Sequence, residues 1–139
     1  MNSTQITKRV LLHIEKNLDS DLSLEKIAKE LNYSKFYIAR VFKNHTGLTV
    51  YKYIRSRRLN EAARKLAQTT KPIIEIAIES GYGSQQAFTQ AFRCEYGYSP
   101  LEYRNIRRFV PKQDRIDMSL SKKCGMLSLQ FMEGRRAAA

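Results

Sequence analysis

Two stretches of the chain repeat one pattern of side chains: Lys35, Phe36, Ala39, Arg40 and Lys43, then Gln85, Gln86, Thr89, Gln90 and Arg93. If each stretch is a helix that turns Ile38, Val41 and Phe42, or Phe88, Ala91 and Phe92, inward, these residues share its outer side. Their types suit the edges of base pairs. Arginine addresses guanine through two acceptors, glutamine pairs bidentately with adenine, and a threonine methyl meets that of thymine, each good pair contributing roughly 1–3 kcal/mol of discrimination. Ser34 and Ser84 stand directly before the two stretches. Their first task there is to cap a helix, and any phosphate contact follows from helix-terminal N–H groups. Other fits stay open: Gln85, Gln86 and Gln90 also suit a solvated polar face, and Arg40 and Lys43 ordinary surface charge. Phe36 suits the edge of a core as well as a sugar or a thymine methyl.

Other chemistry has little to work with. The 139 residues include two histidines, His13 and His45, and two cysteines, Cys94 and Cys124. Neither histidine has an acid, nucleophile or ligand cluster beside it in the pattern, and the cysteines have neither zinc-ligand spacing nor the numbers of a disulfide scaffold. No enzymatic activity, metal or cofactor is expected. No apolar run approaches the roughly 18 residues of a membrane span, and the polar start Met1–Thr7 does not resemble a signal peptide. The expectation is a cytoplasmic protein without a membrane partner.

Net charge is +12 and uneven. Residues 35–71 hold ten basic side chains against Glu61 alone, residues 1–34 balance at five of each sign, 72–107 sum to −1 and 108–139 to +4. A +9 segment on ordered helices repels itself, and a polyanion relieves that repulsion. A merely solubilising face fits the same numbers.

The elements that must position these side chains are helical. Val10, Leu11, Ile14 and Leu18 keep helical spacing until Asn17–Asp21 closes the run. Ser23 caps a helix whose stripe is Leu24, Ile27, Ala28 and Leu31, although Lys26 cannot supply the reciprocal half of a capping box. A turn at Asn32–Tyr33 leads to Ser34 and a helix that stops near Gly47. Thr49 opens a run to about Gln68 with Ile54, Leu59, Ala62, Ala63 and Leu66 on its buried side, roughly 30 Å long. Pro72 starts a helix from Ile73 to Ser80. Gly81–Gly83 is a turn, Ser84 caps the next helix, Gly97 ends it, and Ser99–Pro100 begins a last one through about Arg107. Beyond Phe109–Val110–Pro111 the tail keeps no strong period: Leu120, Met126, Leu127, Leu129 and Phe131 fit a small strand or surface packing, and Arg135–Ala139 is expected to fray.

An internal repeat organises this series. Ile27–Ala28 through Tyr33 matches Ile76–Ala77 through Tyr82 at an offset of 49, and Ser34, Ile38, Phe42 and Gly47 match Ser84, Phe88, Phe92 and Gly97 at an offset of 50. Each copy is a short helix, a tight turn and a capped second helix, which is a helix-turn-helix in order and length. The expected fold is therefore all-α, about seven helices, with two helix-turn-helix subdomains joined by a long linking helix. The DNA-binding domain is placed at 6–107, with a first unit at about 6–48, a linker helix at about 49–69 and a second unit at about 72–107. Residues 108–139 are expected to form a basic tail, partly disordered or packed as a short surface segment. Such a chain can read two major-groove segments spaced by about 34 Å. Because the copies expose different residues, its site should be asymmetric and a monomer should suffice. Of Arg55, Arg57, Arg58, Arg64 and Lys65, only one or two are expected to approach phosphate, Arg57 among them. A helical module that sequesters or modulates another regulator is the alternative.

The run also resembles the AraC/XylS family of bacterial transcription regulators, its small stand-alone activators in particular, over about residues 6–107. The resemblance rests on Leu22–Ala28, Tyr33–Phe36, Arg40–Lys43, Tyr53–Leu59, Ile76–Ala77, Gly81–Tyr82, Ser84–Phe88, Phe92–Arg93 and Pro100–Arg104, all in order. It implies a monomer that binds an asymmetric double-stranded promoter site and activates transcription by contacting RNA polymerase, in stress or antibiotic resistance. It assigns base contacts to Phe36, Ala39, Arg40, Gln85, Gln86, Thr89 and Gln90. Backbone contacts are expected from Ser34, Lys35, Lys43, Arg57, Ser84 and Arg93. Family members commonly carry Trp at position 36, Gln at 39 and Arg at 90, so the operator sequence should differ from theirs. Asn32 replaces a usual turn glycine and tolerates the left-handed geometry needed there. The tail is too short for a ligand-sensing domain, and control by abundance is the implied alternative.

Overall fold

In the computed structural model, which describes residues 2–113 and 116, the chain is helical from its third residue. The first helix, α1 (Ser3–Lys16), starts ahead of the apolar run because Asn2 and Gln5 form a capping box. The Gln5 N–H donates to the Asn2 side chain and the Asn2 N–H to the Gln5 side chain, at 2.9 and 3.2 Å. Ile6, Val10, Leu11 and Ile14 then lie on its buried side. The helices α2 (Leu24–Leu31) and α3 (Lys35–Thr46) follow. Ser23 and Ser34 cap them by accepting from the Lys26 and Tyr37 N–H groups, both at 3.1 Å. Lys26 returns no bond to the cap and instead pairs with Asp21 at 2.7 Å.

Next comes α4 (Val50–Gln68), and the second copy of the repeat is α5 (Ile73–Glu79) and α6 (Gln85–Tyr96), with α7 (Pro100–Ile106) after it. Ser84 caps α6 through the Ala87 N–H, and Ser99 forms a complete capping box with Glu102 on α7. Among the described residues these are the seven helices, and there is no strand.

Two compact units divide the chain. The first extends to Ile54 and includes Ile116, and the second spans Arg55–Asp114, so the division falls inside α4 rather than at its ends. In the first unit, Ile27, Ile38, Phe42 and Tyr53 are fully buried together with Ile6, Val10 and Ile14. In the second, Leu59, Ala62, Ala63 and Leu66 of α4 meet Ile76, Ala77, Phe88 and Phe92. The Phe92 ring stacks on Tyr96 at 4.6 Å and meets Tyr103 edge-on at 5.3 Å. Tyr53, Tyr96 and Tyr103 are core residues that apolar spacing does not reveal.

The second unit continues past Arg107, where the sequence pattern breaks. The Val110 N–H donates to the Tyr103 hydroxyl at 3.1 Å, and the Lys112 and Gln113 N–H groups donate to Asn60 Oδ1 at 2.8 and 3.1 Å. Gln113 is fully buried. In the first unit, the Ile116 N–H donates to the Tyr53 hydroxyl at 3.2 Å. The expectations for Leu120, Cys124, Met126, Leu127, Leu129, Phe131 and Arg135–Ala139 lie outside the described residues.

The turns before α3 and α6 test the repeat locally. Asn32 closes α2 at φ 61° and ψ 39°, as the turn requires, and its counterpart Gly81 sits at φ 90°. Asn32→Ala should destabilise the protein by about 1 kcal/mol in urea titration, since alanine lacks asparagine's tolerance of this region, whereas Asn32→Gly should not.

A second expectation concerns Glu79, which accepts from Lys65 at 2.9 Å and Lys71 at 2.8 Å. The bond from Lys71, then that from Lys65, holds its carboxyl below the usual glutamate range. A lowered folded-state pKa means that this stabilisation is complete above the unfolded value and is lost as pH falls through the folded one. All three side chains are partly exposed, so Glu79→Gln should cost less than about 1 kcal/mol at neutral pH. The difference from the parent should vanish in acid-limb melts.

Candidate nucleic-acid interface

On α3 the residues at 35, 36, 39, 40 and 43 fall on one side, and those at 85, 86, 89, 90 and 93 do so on α6. At 1.5 Å per residue each stripe is about 12 Å long, comparable with the width of a major groove. Lys35, Phe36, Arg40, Lys43, Gln85, Gln86, Gln90 and Arg93 are exposed, and Ala39 and Thr89 are half-buried. Phe36 keeps 76% of its surface accessible, which removes the edge-of-core reading for it. The opposite sides of both helices are the buried Ile38, Val41 and Phe42, and Phe88, Ala91 and Phe92.

The two faces differ in charge. The first has Lys35, Arg40 and Lys43, with Glu25 standing 3.6 Å from Lys35. The second is amide-rich, and Arg93 stands 3.7 Å from Glu102. The Ser99 N–H, then the Ser99 side chain, bonds the Glu102 carboxylate and lowers its pKa. Neither α3 nor α6 has an acid in its first turn, so the positive end of each helix is available to an anion. Ser34 and Ser84 are exposed and serve as caps.

Arg57 departs from the expectation. It is 5% exposed, and its guanidinium donates to the Gln113 carbonyl at 2.9 Å and stands 4.0 Å from Glu61. An interior guanidinium held by a backbone carbonyl cannot reach phosphate, so Arg57 is a structural residue. The sequence pattern missed this because the partner is 56 positions away. It also missed Tyr37, whose ring lies beneath Arg40. An aromatic residue three positions before an arginine on a helix was the available signal.

These placements give a separable result. Lys43→Gln should reduce the slope of log affinity against log salt by about one. Arg57→Gln should lower the melting temperature and leave that slope unchanged.

Among the described residues no histidine, cysteine or acid group forms a metal site, and no helix is long and apolar enough to cross a membrane. Comparison with known proteins agrees with the geometry. A helix-turn-helix domain family matches residues 27–106. The Transposon Tn10 TetD protein of Escherichia coli is 46% identical over 101 residues, 73% of either chain. Regulatory protein SoxS of Salmonella typhimurium is 40% identical over 105 residues, 76% of this chain and 98% of its own. The chain belongs to the AraC family. It is a DNA-binding transcriptional regulator and not an enzyme. Of the Right origin-binding protein of Escherichia coli, 39% identical, the chain spans only 36%. Among AraC-type folds, an AraC-type regulator from Chromobacterium violaceum superposes with a TM-score of 0.70 at 30% identity, covering 76% of this chain and 94% of that one. The DNA-binding domain of AdpA, solved in complex with a target DNA, does so at 0.66 and 25% identity, covering 74% and 92%.

Proposed function

We propose that the chain activates transcription as a monomer on an asymmetric promoter site of about 20 base pairs, contacting RNA polymerase, in a stress or multidrug-resistance response. In this reading α3 and α6 enter successive major-groove segments. Phe36, Ala39 and Arg40 meet bases in one, and Gln85, Gln86, Thr89 and Gln90 in the other. Lys35, Lys43 and Arg93 neutralise phosphates, and the Ser34 and Ser84 turns bring helix-terminal N–H groups to the backbone.

The observation that carries this reading is that two matched copies of one capped unit expose unlike side chains at equivalent positions, Arg40 against Gln90 and Ala39 against Thr89. Two unlike readers in one polypeptide need no second copy and no palindrome. The response is suggested by relatives, one of them the Multiple antibiotic resistance protein MarA of Salmonella typhimurium, 41% identical over 82% of its length.

Sedimentation of the protein on a selected duplex, followed by transcription from that duplex with purified RNA polymerase, tests the proposal. One protein per site and more transcript is the expected result. Two proteins per site, or unchanged or reduced transcript, contradicts it.

A further inference from the structure

The geometry points to Tyr37 as a positioning residue that holds the Arg40 guanidinium ready for a base, giving the first reading helix a pre-organised arginine that the second lacks. This rests on the proposed base contact of Arg40. The Arg40 guanidinium carbon lies 5.5 Å from the centre of the Tyr37 ring, one helical turn earlier on α3. The Tyr37 ring in turn meets Tyr33 at 5.4 Å and 31°. Both tyrosines are half-buried and packed against the first core. A ladder therefore runs from the core through Tyr33 and Tyr37 to an otherwise exposed arginine.

A ring can hold a guanidinium by cation–π attraction without using its N–H edge. That edge is what addresses the two acceptors of guanine. An unsupported arginine must give up considerable rotamer freedom when it binds, and one already held over a ring gives up less. A lysine in its place would keep the charge but lose the planar fork.

The repeat supplies an internal comparison. The position equivalent to Tyr37 is Ala87, and that equivalent to Arg40 is Gln90. The second helix thus has no ring under its reader and no cation to stack. Base preference in the first half-site should consequently depend on a residue that touches no base, and in the second it should not.

The test compares affinities of the full chain for its selected duplex and for a duplex altered at the base pair where Arg40→Ala loses preference. The variants are Tyr37→Leu, Tyr37→Phe, Arg40→Ala and the Tyr37→Leu/Arg40→Ala double. Tyr37→Leu should lower discrimination at that pair about two- to fivefold, the range of an exposed cation–π contact. Its affinity for random duplex and its preference in the other half-site should not change. Tyr37→Phe keeps the ring and should keep discrimination, and the double variant should discriminate no worse than Arg40→Ala. If Arg40→Ala costs discrimination at no position, the base contact itself is wrong and this inference goes with it. If Arg40→Ala relaxes one pair while Tyr37→Leu discriminates as the parent does, the base contact stands and the role of Tyr37 is refuted. Equal losses in both half-sites, with a lowered melting temperature, would also refute it by showing a general loss of fold.

Discussion

Asn60→Ala should destabilise the protein by about 3 kcal/mol in urea titration, the sum of two or three buried donors each left unpaired at about 1 kcal/mol or more. Asn60 is 1% exposed, and its Oδ1 accepts from the Lys112 and Gln113 N–H groups and, at 3.4 Å, from the Tyr96 hydroxyl. Alanine removes that oxygen without opening a path for water to Gln113, which is itself fully buried. The neighbouring bond from Arg57 to the Gln113 carbonyl cannot compensate, since it satisfies an acceptor and the orphaned groups are donors. A loss below about 0.5 kcal/mol, the range of an ordinary surface substitution, would mean that residues 108–113 are not part of the folded unit.

The second large effect is expected at Arg40. Arg40→Ala should reduce preference for one base pair by about 1–3 kcal/mol, roughly five- to 150-fold, while preference in the other half-site is unchanged. Its exposure and its place at the centre of the α3 stripe make it the residue able to form a bidentate contact there. Arg40→Lys should be nearly as damaging to preference but much milder for overall affinity, because the charge survives and the fork does not. Competition binding against single-pair variants measures both quantities. If instead all sequences weaken equally, Arg40 is a phosphate contact.

What the sequence revealed was local or repeated. Ser23, Ser34, Ser84 and Ser99 cap helices within three residues of themselves, Gly47 and Gly97 end them at positive φ, and Asn32 adopts the left-handed turn. Those features depend on a few neighbouring residues, and the repeat states most of them twice. The Asn2–Gln5 box was equally local, but it lies outside the repeat and ahead of the apolar run, so it had no second copy to draw attention to it.

Long-range pairing was not legible. Arg57 lies in the most basic stretch of the chain, where charge argues for phosphate, yet its partner carbonyl belongs to a segment whose pattern had already broken. Tyr53, with a polar hydroxyl, does not announce itself as core, but its ring meets Phe42 at 5.7 Å and its hydroxyl accepts the Ile116 N–H. In the candidate interface the repeat marked which side of each helix is outward, because the buried residues at matching positions are apolar in both copies. It did not mark Tyr37, whose counterpart Ala87 carries no ring.

Selection of bound duplexes from a random pool tests the central claim most directly, because it reports the length, symmetry and information content of the site without assuming any of them. One non-palindromic site of about 20 base pairs, with two short informative blocks about one helical turn apart, is the predicted outcome. A single block, a palindrome, or no enrichment over random duplex would contradict the assignment of α3 and α6 as two separate readers of sequence.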